Sequence, residues 1–122
     1  LKPETKFYQK VKENFKNFSL IRIENLSVPG VPDLLIYNNN HCFFTVELKV
    51  TKTNKITFSP HQIGFHVKHP KNTFILVFDA STRLPKLYEG SRIRELASGG
   101  LTLEPLESGF RDISNYLSKL GA

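Results

Sequence analysis

Three charged side chains in this sequence are placed so that they could do chemistry together: Asp33, Glu47 and Lys49. Glu47 and Lys49 stand two residues apart in Phe43-Phe44-Thr45-Val46-Glu47-Leu48-Lys49-Val50, an aromatic and β-branched run that reads as a strand. Side chains alternate faces along a strand, so Phe44, Val46, Leu48 and Val50 form one wholly apolar face. Phe43, Thr45, Glu47 and Lys49 form the other, which puts a carboxylate beside an ammonium. Asp33 opens a second strand, Pro32-Asp33-Leu34-Leu35-Ile36-Tyr37, and the polar Asn38-Asn39-Asn40-His41 between the two reads as a turn. A hairpin carries Asp33 back towards Glu47 and Lys49. Two carboxylates and a lysine converging on one sheet edge suit a hard divalent cation beside an anionic substrate.

The flanking elements must position these groups. Pro3 to Phe15 reads as a first helix, with Pro3 in its first turn and Phe7, Tyr8, Val11 and Phe15 on one apolar face. Glu4 falls in the middle of that face, where it is either a first-turn acid favoured by the helix dipole or a carboxylate aimed inward at a metal. Lys2, Lys6, Lys10, Lys12 and Lys16 fall on the opposite side, a solvated face by default and a DNA-facing stripe if other features support it. Ser19 to Glu24 alternates like a first strand. The loop from Asn25 to Val31 leads into Asp33; its Ser27 and Gly30 are either an ordinary connection or a close approach for a phosphate.

Beyond the hairpin, Thr51 to Thr57 is expected to be a polar, mobile segment carrying Lys52 and Lys55. Ser59-Pro60-His61-Gln62 opens a second helix, with Ser59 as N-cap and Gln62 closing a capping box. His61, His66 and His69 read as surface residues. Phe74 to Phe78 is a short apolar run expected to be a strand buried on both faces. Leu84 to Tyr88 adds an edge strand, and Ser91 to Ala97 a short helix capped by Ser91. The closing helix carries Phe110, Ile113, Leu117 and Leu120 at helical spacing, a stripe for the core or for a dimer surface.

The 122 residues suggest one domain, 1–122, with 39% hydrophobic residues and ten Phe supporting a packed core. No run of about 18 apolar residues occurs, so no membrane span is expected. No signal peptide is visible at the start as given, which lacks an initiator methionine. A single cysteine, Cys42, excludes an internal disulfide and reads as a buried thiol in a strand, which fits a reducing intracellular setting. One cysteine and four scattered histidines make no closed zinc site. The net charge of +6 favours polyanionic partners, nucleic acid before acidic membrane.

The order helix, three strands, helix, strand, with Pro32-Asp33 and then Glu47-Leu48-Lys49, resembles the PD-(D/E)XK nuclease superfamily. Glu4 on the first helix, the approach Gly30-Val31-Pro32-Asp33 and the glutamine of Ser59-Pro60-His61-Gln62 look like its virus-type replication-repair nuclease (VRR-NUC) branch and are similar to Holliday-junction resolvases. The resemblance covers roughly residues 3 to 80. It implies an α/β fold with a central mixed β-sheet flanked by helices, in the order αβββαβ. It also implies that Asp33, Glu47 and the Leu48 backbone carbonyl bind Mg²⁺ or Mn²⁺, with Glu4 as an additional ligand, direct or through water. Lys49 would position or activate the attacking water, and Gln62 would orient water or phosphate.

The activity implied is hydrolysis of DNA phosphodiester bonds leaving a 5′-phosphate, on branched DNA such as a four-way junction, by a homodimer with two sites. Lys2, Lys6, Lys10, Lys52 and Lys55, with Ser27 and Gly30, are the expected DNA contacts. The sequence as given carries no appended DNA-binding or repair domain, which fits the stand-alone form, in a bacterial or virus-infected cell. Two other functions compete: a nicking or restriction-type nuclease of the same superfamily, and a basic DNA-binding module without catalysis. The complete motif argues against the last.

Overall fold

The computed structural model describes residues 2–24 and 28–122. Helix α1 spans Pro3–Asn14, followed by strands β1 (Ser19–Arg22), β2 (Leu34–Tyr37) and β3 (Phe43–Thr51). Helix α2 (Pro60–Lys68) then crosses to β4 (Thr73–Asp79) and β5 (Leu84–Glu89). Helix α3 (Ile93–Gly99), strand β6 (Glu107–Ser108) and helix α4 (Phe110–Ser118) complete the chain, with 3₁₀ turns on either side of α3. The strands form one six-stranded mixed sheet in sequence order. Only β3 and β4 run parallel, because α2 returns the chain between them. The fold class is therefore the expected one, an α/β fold with helices on a mixed sheet.

Two cores follow from the alternation of side chains. Leu34, Ile36, Phe44, Val46, Phe74, Leu76 and Leu87 face α1 and α4 and pack on Phe7, Val11, Phe15, Ile113 and Leu117. On the other face Ile75, Val77 and Tyr88 pack with Ile56, Phe58, Ile93 and Leu96. Glu47 and Lys49 belong to this second face, where they pair with Ile75 and Val77 of β4. The face therefore places a carboxylate and an ammonium next to a dry apolar layer.

The hairpin turn is built on Asn38, which is 2% exposed. Its side-chain oxygen accepts from the backbone N–H of Asn40 and Cys42, and its amide donates to the carbonyls of Leu117 and Leu120. One buried side chain thus shapes the turn and ties it to the end of α4.

Several expectations need correction. The first helix ends at Asn14 and the first strand at Arg22. Cys42 is half-buried and lies just before β3. Leu84–Glu89 is not an edge, because β6 pairs with it through Lys86–Ser108 and Leu87–Glu107. Ser91 does not cap α3, whose N-cap is Arg92 with no side-chain bond. The segment after β3 is pinned: Thr51 Oγ1 donates to the carbonyls of Thr53 and Lys55, Leu101 N–H bonds the Asn54 carbonyl, and Ile56 is buried. His66 is fully buried, because α2 turns that side towards the sheet. The α4 stripe is core, with Ile113 and Leu117 completely covered. Phe7, Phe15 and Phe18 are buried too, while Tyr8, Phe110 and Leu120 are partly buried against the same core. Among the described residues no helix is long and apolar enough to cross a membrane.

Candidate active site

The antiparallel register fixes the first contact. Leu34 pairs with Val46, so Asp33, one residue earlier, falls opposite Glu47. The Asp33 carbonyl accepts from Ile23 N–H at 2.8 Å, and its carboxylate accepts from Leu48 N–H at 2.8 Å. The residue is therefore held from both sides, its backbone by Ile23 and its side chain by Leu48 of β3. The Leu48 group seen at the site is its N–H; the expected role of its carbonyl is a separate matter. Gly30, with φ of +85°, brings the preceding loop against α2, where a Cβ would collide with the His61 carbonyl. Helix packing thus accounts for this glycine without a phosphate.

Glu47 is 3% exposed, although it is a carboxylate. One oxygen accepts from the Gln62 amide at 3.3 Å, no protein group donates to the other, and the carboxyl meets Asp33 only through its own proton. Burial, then the charge of Asp33 and a hydrogen bond with it, push the Glu47 carboxyl up to about 9; Lys49 opposes this and Glu4 adds to it. Lys49 donates to the Gln62 side-chain oxygen at 3.1 Å, with its ammonium 5.0 Å from the centre of the Phe58 ring. Gln62 therefore stands between Glu47 and Lys49, while the same oxygen accepts from Ser59 N–H at 3.0 Å in the capping box. Glu47 and Lys49 are not a surface salt bridge.

This arrangement fits a cation. A charged buried carboxylate beside a second carboxylate is costly unless a proton or a metal cation joins it, and a bound metal would take the place of the proton. Among the described residues no group of three or more His, Cys, Asp and Glu side chains gathers as a ready metal cage. Two carboxylates leave most coordination positions to water and substrate, as Mg²⁺ tolerates.

Glu4 is exposed at the start of α1. It lines a cavity of about 270 Å³ together with Asp33, Leu48, Lys2, Tyr8 and Arg22. It is thus at the rim of the site and also a first-turn acid, and both sequence readings of it survive. Tyr8 and Arg22 escaped the sequence reading. Arg22 stacks on the Tyr8 ring at 4.6 Å, and Lys12 lies over the same ring at 4.8 Å. The alternation Leu20, Arg22 with Arg22 opposite Leu34 was the available signal. A hollow of about 480 Å³ at α4, lined by Glu107, Asp112, Tyr116 and Lys119, is larger but lacks a converging set of this kind.

The lysines expected to meet DNA divide. Lys2, Lys6, Lys10 and Lys52 line two further hollows along α1, beside Val50 and Phe78. Lys12 lies on the other flank of the helix, over Tyr8. Lys55 sits where its loop packs on Gly100 and Leu101, away from that groove. Ser27 lies outside the described residues.

No protein-family model and no curated protein matches the sequence. The fold is similar to the crystal structure of Hjc, a Holliday junction resolvase from the archaeal hyperthermophile Archaeoglobus fulgidus. The TM-score is 0.58 at 14% identity, over 73% of this chain and 74% of that one.

Proposed function

We propose that this chain is a divalent-metal-dependent, structure-selective DNA endonuclease that hydrolyses phosphodiester bonds in branched DNA, of the Holliday-junction-resolving type. The observation that carries the reading is Glu47: a buried carboxylate with an unpartnered oxygen, facing Asp33 and linked through Gln62 to Lys49. The fold shared with a junction resolvase supports it, as does the +6 charge. The virus-type replication-repair branch remains the motif resemblance described above.

Asp33 and Glu47 would hold Mg²⁺ or Mn²⁺, with the Leu48 carbonyl and Glu4 as further donors. When bound, the cation supplies Lewis-acid stabilisation to the phosphoryl oxygens. Lys49, its ammonium set by Gln62 and Phe58, offsets phosphate charge and positions the water that attacks phosphorus. Gln62 orients that lysine and Glu47 in one stroke. The attack forms one P–O bond and breaks the bond to the 3′ oxygen, leaving a 5′-phosphate. Two opposed cuts at a junction need two sites, so the working form in this proposal is a homodimer.

The test is cleavage of end-labelled four-way junction, linear duplex and single strand with and without Mg²⁺. Preferential, metal-dependent cutting of the junction is expected. Asp33→Asn should reduce cutting at least a thousandfold and leave binding in EDTA intact. Undiminished Mg²⁺-dependent cutting by Asp33→Asn would remove the assignment.

A further inference from the structure

The cavity that holds Asp33 continues past Lys2 and Glu4 into a groove between α1 and the ends of β3 and β4. Its floor is apolar, formed in part by Val50 and Phe78, and its walls carry Lys2, Lys6, Lys10 and Lys52. Lys2, Lys6 and Lys10 recur every fourth residue, about 6 Å apart along a helix. Lys10 is drawn over the groove by the Phe78 ring, 4.6 Å from its centre. Among the described residues none of these four lysines has an ion-pair partner.

We propose that this groove takes an unpaired DNA strand running out from the cleavage site. The inference rests on the nuclease reading and adds to it an unpaired strand, which a four-way junction exposes only where base pairs open at its crossover and a fork carries outright. A paired duplex keeps its base faces stacked inside and offers only its charged backbone. An unpaired strand offers phosphates to the lysines and sugar and base faces to the apolar floor, the combination that single-strand grooves use. Three ammoniums along the α1 wall, spaced by helical turns, with Lys52 just past the end of β3, complement successive phosphates of a single backbone. Lys12, on the other flank of α1, and Lys55, on the far loop, lie outside the path.

The experiment is anisotropy titration in EDTA, where no cutting occurs. The probes are a forked duplex with one single-stranded arm and a blunt duplex of equal length. The variants are Lys6→Gln/Lys10→Gln and, as a control, Lys16→Gln, an exposed lysine outside the groove. Each phosphate neutralised on a single strand contributes about 0.7 to the salt slope, so two lost contacts weaken binding roughly tenfold near 0.15 M salt. The double variant should therefore bind the fork about tenfold more weakly, with the slope reduced by about 1.4. Its blunt-duplex binding should change less than twofold, and its melting temperature should not move. Equal loss on the blunt duplex would assign the groove to paired DNA and overturn the proposal. So would no loss on the fork, or an equal loss from Lys16→Gln. Wild-type protein that cuts junctions while the double variant binds the fork normally defeats this proposal alone. Wild-type protein that neither binds nor cuts DNA defeats the nuclease reading with it.

Discussion

The Gln62 side-chain oxygen receives the Lys49 ammonium at 3.1 Å while the amide nitrogen of the same side chain donates to Glu47 at 3.3 Å. One neutral residue thus fixes the spacing of a carboxyl and an ammonium that the sequence places two positions apart. It does so from a helix N-terminus, where its oxygen also accepts from Ser59 N–H.

That double duty separates by mutation. Gln62→Ala should lose the capping box, costing about 0.5–2 kcal/mol, and also lower cleavage at least tenfold. Ser59→Ala should cost a similar stability and lower cleavage less than threefold. Melting curves and single-turnover rates on both variants check this. Equal loss of rate in the two would reduce Gln62 to a cap.

The raised Glu47 carboxyl gives the metal-free protein a pH dependence. A carboxyl whose folded pKa lies above its unfolded value of 4.5 keeps a proton in the folded state that the unfolded chain has released. Its stabilisation is complete below pH 4.5 and is lost as the pH rises towards about 9. In EDTA, stability should fall between pH 5.5 and 9 by at least about 1.4 kcal/mol, the equivalent of one pKa unit. Glu47→Gln should flatten the profile. Mg²⁺ at a hundred times its dissociation constant should restore about 2.7 kcal/mol to wild type at high pH and nothing to the variant. Urea titrations across that range would contradict the assignment if the slope were unchanged in Glu47→Gln.

Glu4 lies on the rim of the cavity that holds Asp33. If it contributes to the site, Glu4→Gln should lower the cleavage rate tenfold or more and raise the Mg²⁺ concentration needed for half-maximal rate. As a dipole-favoured acid alone it should cost about 0.3–1 kcal/mol of stability and leave turnover unchanged. Rates measured across a Mg²⁺ titration decide between the two.

If the chain works as the proposed homodimer, sedimentation equilibrium at micromolar protein should give about 28 kDa, twice the 14.0 kDa chain. Within the α4 stripe Ile113 and Leu117 are already covered, which leaves only the partly buried Phe110 and Leu120 for an interface. Ile113→Ala should therefore act as a core cavity, costing about 2–5 kcal/mol at any protein concentration. A concentration-dependent loss of dimer without loss of monomer stability would place Ile113 at the interface instead.

The sequence by itself determined that Glu47 and Lys49 share a face and that a hairpin carries Asp33 back towards them. Strand alternation has a period of two and is local to the chain, whereas the register that sets Asp33 opposite Glu47 depends on Tyr37 pairing with Phe43 across the turn, and a slip of one residue would reverse it. The sequence also determined the capping box of α2, which is local too, since Ser59 and Gln62 meet within one helical turn. What lay beyond it depended on how separate elements dock. The parallel crossover from β3 to β4 lowers α2 onto the second face of the sheet, which buries Glu47 and brings Gln62 between it and Lys49. The helical wheel already separates Lys12 from Lys6 and Lys10, but only the docking of α1 decides that the Lys6 and Lys10 flank lines the groove beside Val50 and Phe78. The fate of the α4 stripe was likewise a matter of what stood opposite it. An apolar stripe records that it must be covered, and only the packing of α1 against the sheet supplies Phe7 and Phe15 as the cover.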